Sequence, residues 1–160
     1  MTATHHLIVG RPGSGKTRTL QQLIAAEKLA ANGAVTVWGI QGTASGSLAG
    51  ADRTVGADQA AELLTEALAV VAERTARRRE YEPTTAEPRI KLVIDDAEPV
   101  LRDTKAAELL HRLVVTGRTA AVETIVAASD MTAATWPADL RRHYTAGQVT
   151  ICDPRPRTEA

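Results

Sequence analysis

Phenylalanine is absent from this chain of 160 residues, and only Trp38, Trp136, Tyr81 and Tyr144 are aromatic. Four scattered rings build no stacking platform for nucleic-acid bases. The core must come from Leu, Val, Ile and Ala. The single cysteine, Cys152, excludes an internal disulfide and suits a reducing cytoplasm. Lys plus Arg (19) equals Asp plus Glu (19), so the formal net charge is zero. Overall charge therefore lends nothing to a nucleic-acid partner, which would need a local basic patch. No apolar run approaches the roughly 18 residues of a membrane span, and no signal peptide precedes the first strand. The expectation is a cytoplasmic chain with no membrane segment of its own: one domain over 1–152, then a polar, Pro-rich tail over 153–160.

What the chain does have is a glycine-rich turn near its start, Gly10-Arg11-Pro12-Gly13-Ser14-Gly15-Lys16-Thr17-Arg18. Two glycines five residues apart, followed by Lys and a hydroxyl residue, match the phosphate-binding loop. Gly13 and Gly15 allow the backbone to curl so that successive N–H groups point inward at an anion. A helix opening at about Gly15 adds free N–H groups and the positive end of its dipole. In that reading Lys16 reaches the β- and γ-phosphates of ATP and the Thr17 hydroxyl holds Mg²⁺. The competing reading is a Gly-rich turn that matches by accident. The context opposes it: His5-His6-Leu7-Ile8-Val9 before the turn has the pattern of a buried strand, and a helical pattern follows.

Taken in order, the pattern predicts a strand over His5 to Gly10 and a helix over Gly15 to Asn32. Leu20, Leu23, Ile24 and Leu29 mark that helix's inner face, and Asn32-Gly33 stops it. A second strand covers Ala34 to Ile40. Gln41 to Gly56, rich in Gly, Ala, Ser and Thr, predicts a long loop. A helix over Asp58 to Glu80 carries Leu64, Leu68 and Val71 towards the sheet and ends in Arg74, Arg77, Arg78 and Arg79. That basic end complements the helix dipole as a solvated face, or else contacts phosphate or a neighbouring subunit. Strands follow at Ile90–Ile94, Val122–Ala128 and Ala146–Ile151, with helices at Lys105–Thr116 and Trp136–His143. Alternating strands and helices predict an α/β fold with a parallel sheet between helix layers, its ligand beyond the carboxyl ends of the strands.

A phosphate loop needs a metal partner, and Leu92-Val93-Ile94-Asp95-Asp96 has the required form. A buried strand delivers Asp95 rigidly to the sheet edge, where it accepts from Mg²⁺-bound water, while Asp96 orients or deprotonates an attacking water. The alternative is a helix N-cap or loop start at either residue. His5 and His6 are expected at the solvent, and His111 as a packed histidine. No zinc spacing and no Ser/His/Asp arrangement is legible.

These pieces, in this order and spacing, resemble the FtsK/SpoIIIE-type DNA translocases, especially their actinobacterial members. The resemblance runs from about His6 to Ile151. It covers the strand and phosphate loop, Val37-Trp38-Gly39-Ile40, Leu92 to Ala97, Gly117-Arg118-Thr119-Ala120-Ala121-Val122, and Val126-Ala127-Ala128-Ser129-Asp130. The resemblance implies a three-layer RecA-like sheet of five strands in the order 5-1-4-3-2, with ATP and Mg²⁺ bound. It also implies double-stranded DNA as partner and a hexameric ring of copies, with Arg118 entering the neighbouring subunit's site; Arg74 to Arg79 are alternatives for that role. Three segments depart from the family's pattern. Gln41-Gly42-Thr43-Ala44 stands where the family commonly has Asp and then a Lys-Gly-Gly turn, Asp96 where the acidic pair usually ends in Glu, and Asp130 where the sensor strand ends in Gln. The expected catalytic set is Lys16, Asp96, Asp130 and Arg118, with Thr17 and Asp95 on the metal. Three functions fit this set: a slow translocase-type ATPase, a nucleotide-binding interaction module that hydrolyses little, or a small-molecule kinase.

Overall fold

A computed structural model of the protein describes residues 5–43, 48–77 and 81–152. Arg78, Arg79, Ala44 and the tail over 153–160 lie outside the described residues.

The strands are short, apolar at the centre of the sheet and more polar at its edges, and all pair in parallel in one sheet. The elements run β1 (His5–Gly10), α1 (Lys16–Ala31), β2 (Val35–Gln41), β3 (Arg53–Gly56), α2 (Ala60–Ala76), β4 (Arg89–Asp95) and α3 (Ala97–Arg102). They continue with α4 (Thr104–Thr116), β5 (Val122–Ala128), α5 (Ala138–Thr145) and β6 (Gln148–Cys152). The sheet order is β3-β2-β4-β5-β1-β6. Without β3 this is the expected five-stranded order, with β5 lying between the two strands that carry the motifs. The added strand corrects the long loop expected over Gln41 to Gly56. Asp52 sets it in place: its backbone N–H donates to Val37 O at 2.9 Å and its Oδ2 accepts from Val37 N at 2.8 Å.

Strand alternation splits the core in two. Ile8, Val37, Val93, Ile125 and Ala127 face α1, where Leu20 and Ile24 cover them. Leu7, Ile40, Leu92, Ile94, Val126 and Ala128 face α2, α3, α4 and α5. Leu29 does not join the inner face of α1; it is 85% exposed. Two of the four aromatic rings finish the larger core. Trp136 and Tyr144 are buried and meet edge to face at 5.6 Å.

The histidines of β1 are internal, which corrects the expectation of solvent exposure. His5 Nε2 donates to Val114 O at 2.9 Å, so its Nδ1 accepts from Thr124 Oγ1, which in turn receives the buried Tyr144 hydroxyl at 2.7 Å. Burial holds the His5 imidazole below its ordinary value, hence neutral. His6 is buried against Thr150.

Arg74 likewise leaves the solvated face assigned to it. Its guanidinium is buried, donates to Ala120 O and Pro88 O at 2.8 Å each, and lies 4.1 Å over the Tyr81 ring. It fastens α2 to the entries of β4 and β5. Arg77 is paired with Glu73 and Glu87. Of the described helix-end cations, Arg74 is built into the fold and Arg77 lies exposed at the surface.

Candidate functional site

The turn between β1 and α1 curls as its glycines permit. Gly13 and Gly15 take φ of 78° and 88°, a region that side chains disfavour. Gly10 is required for a different reason. A Cβ there would fall 2.6 Å from Cys152 O on the adjacent strand and against the Ser14 hydroxyl, which is buried without a partner. The loop therefore lies tightly on β6, with Arg11, Pro12 and Arg18 exposed around it. Lys16 Nζ is held over the loop by Gly10 O at 2.6 Å and Arg11 O at 3.1 Å. Its ammonium stands at the opening of α1, where that helix's free N–H groups converge.

Asp95 arrives at the same point from β4. Thr17 Oγ1 reaches its two carboxylate oxygens at 3.2 and 3.0 Å. A hydroxyl and a carboxylate that share one point are the oxygen donors a small hard cation prefers, and Mg²⁺ keeps most of its shell as water and phosphate. Among the described residues no group of three or more His, Cys, Asp and Glu gathers to hold a metal alone. A metal here would take its remaining ligands from phosphate and water, so the residues present fit Mg²⁺.

The loop and strand ends enclose a cavity of about 460 Å³. Pro12, Lys16 and Thr17 line it from the loop and Gln21 from the next turn of α1. Gln41, Asp95, Asp96 and Ser129 line it from the carboxyl edge of the sheet, and Thr43 and Leu48 from the far side. Gln41 pairs in register with Asp95, so the position that departs from the family's Asp stands beside the proposed metal ligand.

Asp96 occupies a strained backbone, φ 67° and ψ 90°. Gly42 makes this conformation possible. Its N–H donates to Asp95 O at 2.8 Å, and any Cβ on it would collide with Asp96 O and lie 3.0 Å from Asp96 Cβ. The Asp96 carboxyl is raised to about 6 by its hydrogen bond with Glu98, by burial, and by the charges of Glu98 and Asp95; Lys16 opposes the shift. Burial raises Glu98 too. Hydrogen bonds from Asp96 and from the backbone N–H groups of Glu98, Ser129 and Asp130 outweigh it and hold Glu98 below its ordinary value. Of the two neighbouring carboxyls, Asp96 is thus the more readily protonated.

Asp130 and Arg118 do not line this cavity. Asp130 is exposed and its Oδ1 accepts from Thr132 N and Thr132 Oγ1 at 3.0 and 2.9 Å. Its charge is spent within its own turn, and Ser129 lines the cavity in its place. Arg118 is exposed on a 3-10 turn, Gly117–Ala120, just before β5 begins. In a parallel sheet that is the edge opposite the phosphate loop. A strand of six residues, about 20 Å, separates the two edges. Arg118 cannot serve its own chain's cavity. Glu98 had no signal in the sequence, because the groups it holds are 31 and 32 residues away.

No family model and no curated protein matches the sequence. Solved structures do match. The cytoplasmic domain of the type VII secretion ATPase EccC of Thermomonospora curvata aligns with a TM-score of 0.75 at 16% identity, over 93% of this chain and 20% of that one. EssC (ATPases 2 and 3) from Geobacillus thermodenitrificans aligns with a TM-score of 0.68 at 11% identity, over 94% of this chain and 32% of that one. The pCW3 conjugation coupling protein TcpA aligns with a TM-score of 0.62 at 17% identity, over 89% of this chain and 47% of that one. The chain thus spans a fifth to about half the length of these structures. Among the described residues no helix is long and apolar enough to cross a membrane. The chain has the fold of the FtsK/SpoIIIE-type P-loop ATPases.

Proposed function

We propose that this domain binds ATP with Mg²⁺ at the loop from Gly10 to Arg18 and hydrolyses it slowly. The observation that carries the reading is the meeting of Thr17 and Asp95, delivered from separate elements to one point beside Lys16. Loop N–H groups and the Lys16 ammonium bind phosphate, Thr17 and Asp95 hold the metal, and Asp96 faces the cavity where water would attack. When bound, Mg²⁺ neutralises phosphate charge. Asp96 stands on a side chain one methylene shorter than Glu, so water activation is the weak step. Nucleotide binding without rapid turnover follows from this division.

Thr17→Ala keeps the loop and Lys16 but removes one of the two oxygens offered to the metal. Calorimetric titration with ADP is expected to show wild-type affinity at least tenfold higher with Mg²⁺ than with EDTA, and in Thr17→Ala about the same affinity in both. Equal Mg²⁺ dependence in the two proteins would refute the metal assignment.

The reading extends to assembly. EccC and TcpA are named for secretion and conjugation, so double-stranded DNA or protein is the cargo class we propose for a ring of copies. The position of Arg118, exposed at the edge opposite its own cavity, suits a contact made on a neighbouring copy. Turnover that rises on adding double-stranded DNA would make DNA the cargo. The domain itself, proposed as one unit over 1–152, is the nucleotide-binding part.

A further inference from the structure

Gln41 is the last residue of β2, and its backbone is tied on both sides. It lies opposite Asp95 of β4 on one side and opposite Gly56 of β3 on the other. The short edge strand that Asp52 sets in place thus buttresses this position at the carboxyl edge of the sheet. Pairing also fixes the face on which the side chain leaves the sheet. Val37 on β2 and Val93 on β4 pack on the α1 side, and Gln41 and Asp95 keep their parity. Both project towards the start of α1, where Thr17 meets the Asp95 carboxylate. Adjacent strands stand about 4.8 Å apart, so the Gln41 amide borders that meeting point, and it lines the same cavity.

Charge decides what a side chain at this place can do. Asp95 and Asp96 bring two carboxylates to the cavity lining, against the one ammonium of Lys16. A third carboxylate at position 41 would repel a phosphate; a primary amide is neutral and offers two N–H donors. Thr17 and Asp95 mark the place where the last two phosphates of a triphosphate share their metal, so the residue beside them faces the phosphate end of a nucleotide. The other amide of the lining is less well placed. Gln21 stands one helical turn beyond Thr17, about 6 Å further along α1.

We propose that Gln41 is a specificity-determining residue: its amide donates to the terminal phosphate, so that the cavity distinguishes nucleoside triphosphate from diphosphate. The proposal rests on the nucleotide reading of this cavity and adds which phosphate is read, and from which strand. After hydrolysis the diphosphate leaves the amide without that acceptor, which lowers affinity for the product.

Calorimetry of Mg–ADP with and without beryllium fluoride, a stand-in for the terminal phosphate, tests this on the whole chain. Wild type is expected to bind the beryllium fluoride complex at least about thirtyfold more tightly than Mg–ADP. Gln41→Leu removes the donors at similar bulk. It is expected to cut that preference to about threefold or less, while its affinity for Mg–ADP stays within about threefold of wild type. Gln41→Glu keeps the length and adds the repelling charge; it is expected to lose the preference as well, and replaces Gln41→Leu should that variant fail to fold. A folded Gln41→Leu or Gln41→Glu with the wild-type preference overturns the proposal. Equal weakening of Mg–ADP and of its beryllium fluoride complex in Gln41→Leu also overturns it, since a purely structural role would move both together. So does a wild type that binds the two alike. No binding of Mg–ADP by wild type instead removes the nucleotide reading beneath it.

Discussion

Replacing Asp96 by Glu is expected to raise the rate of ATP hydrolysis by about ten- to a hundredfold. The carboxylate that activates water must come within about 2.6–3.2 Å of it. The Asp96 carboxyl is drawn instead into its hydrogen bond with Glu98, and one methylene restores about 1.5 Å of reach. The same change should lower thermal stability, because a Glu is less at home than an Asp at φ 67°. A faster and less stable protein is thus the signature. Single-turnover hydrolysis beside a thermal melt reads both. An unchanged slow rate in Asp96→Glu, or a wild type already turning over at about 1–100 per second, would contradict the assignment. Asp130→Gln, which the family pattern also invites, should add little, since the Asp130 carboxylate is committed to Thr132.

A methyl group on Gly42 is expected to damage the site from outside the two sequence motifs. Gly42→Ala places a Cβ against Asp96 O and 3.0 Å from Asp96 Cβ, while the Gly42 N–H is still bound to Asp95 O. Neither obstacle is the end of a flexible side chain, so the end of β2 and the Asp95–Asp96 backbone must part. Overpacking of this kind costs about 1–3 kcal/mol, and the moved group is the carboxylate that meets Thr17. Affinity for Mg–ADP should fall at least about tenfold, and the urea midpoint should fall with it. Wild-type affinity and midpoint in Gly42→Ala would show that the strained Asp96 backbone tolerates displacement.

The sequence made five of the strands and the order of the motifs legible because apolar runs bounded by turns are strong local signals. It concealed what depends on distant partners. β3 has four residues, none buried, and owes its existence to Asp52 pairing with Val37. Arg74 has the look of a helix-end cation until Ala120 and Pro88 present it with carbonyls from other elements. His5 and His6 precede an apolar run, but Thr124 and Thr150 on the neighbouring strands give each ring a hydrogen-bond partner. At the site, Lys16, Thr17, Asp95 and Asp96 were legible through spacing alone. In the sequence Ser129 is only part of a strand end, and Glu98 and Gly42 become visible only when the end of β4 meets the ends of β5 and β2.

The central claim is that nucleotide binds at the phosphate loop, and calorimetry of Mg–ATP with wild type and Lys16→Ala tests it most directly. Lys16 lies over the loop on carbonyls of Gly10 and Arg11 and packs into no core, so its removal should leave the melting temperature nearly unchanged. Loss of a charge-assisted contact to phosphate should weaken binding at least about a hundredfold, or roughly 2.7 kcal/mol. Saturable binding by wild type that is lost in a folded Lys16→Ala is the predicted result. Equal affinity in the two proteins, or no binding by wild type, would contradict the account.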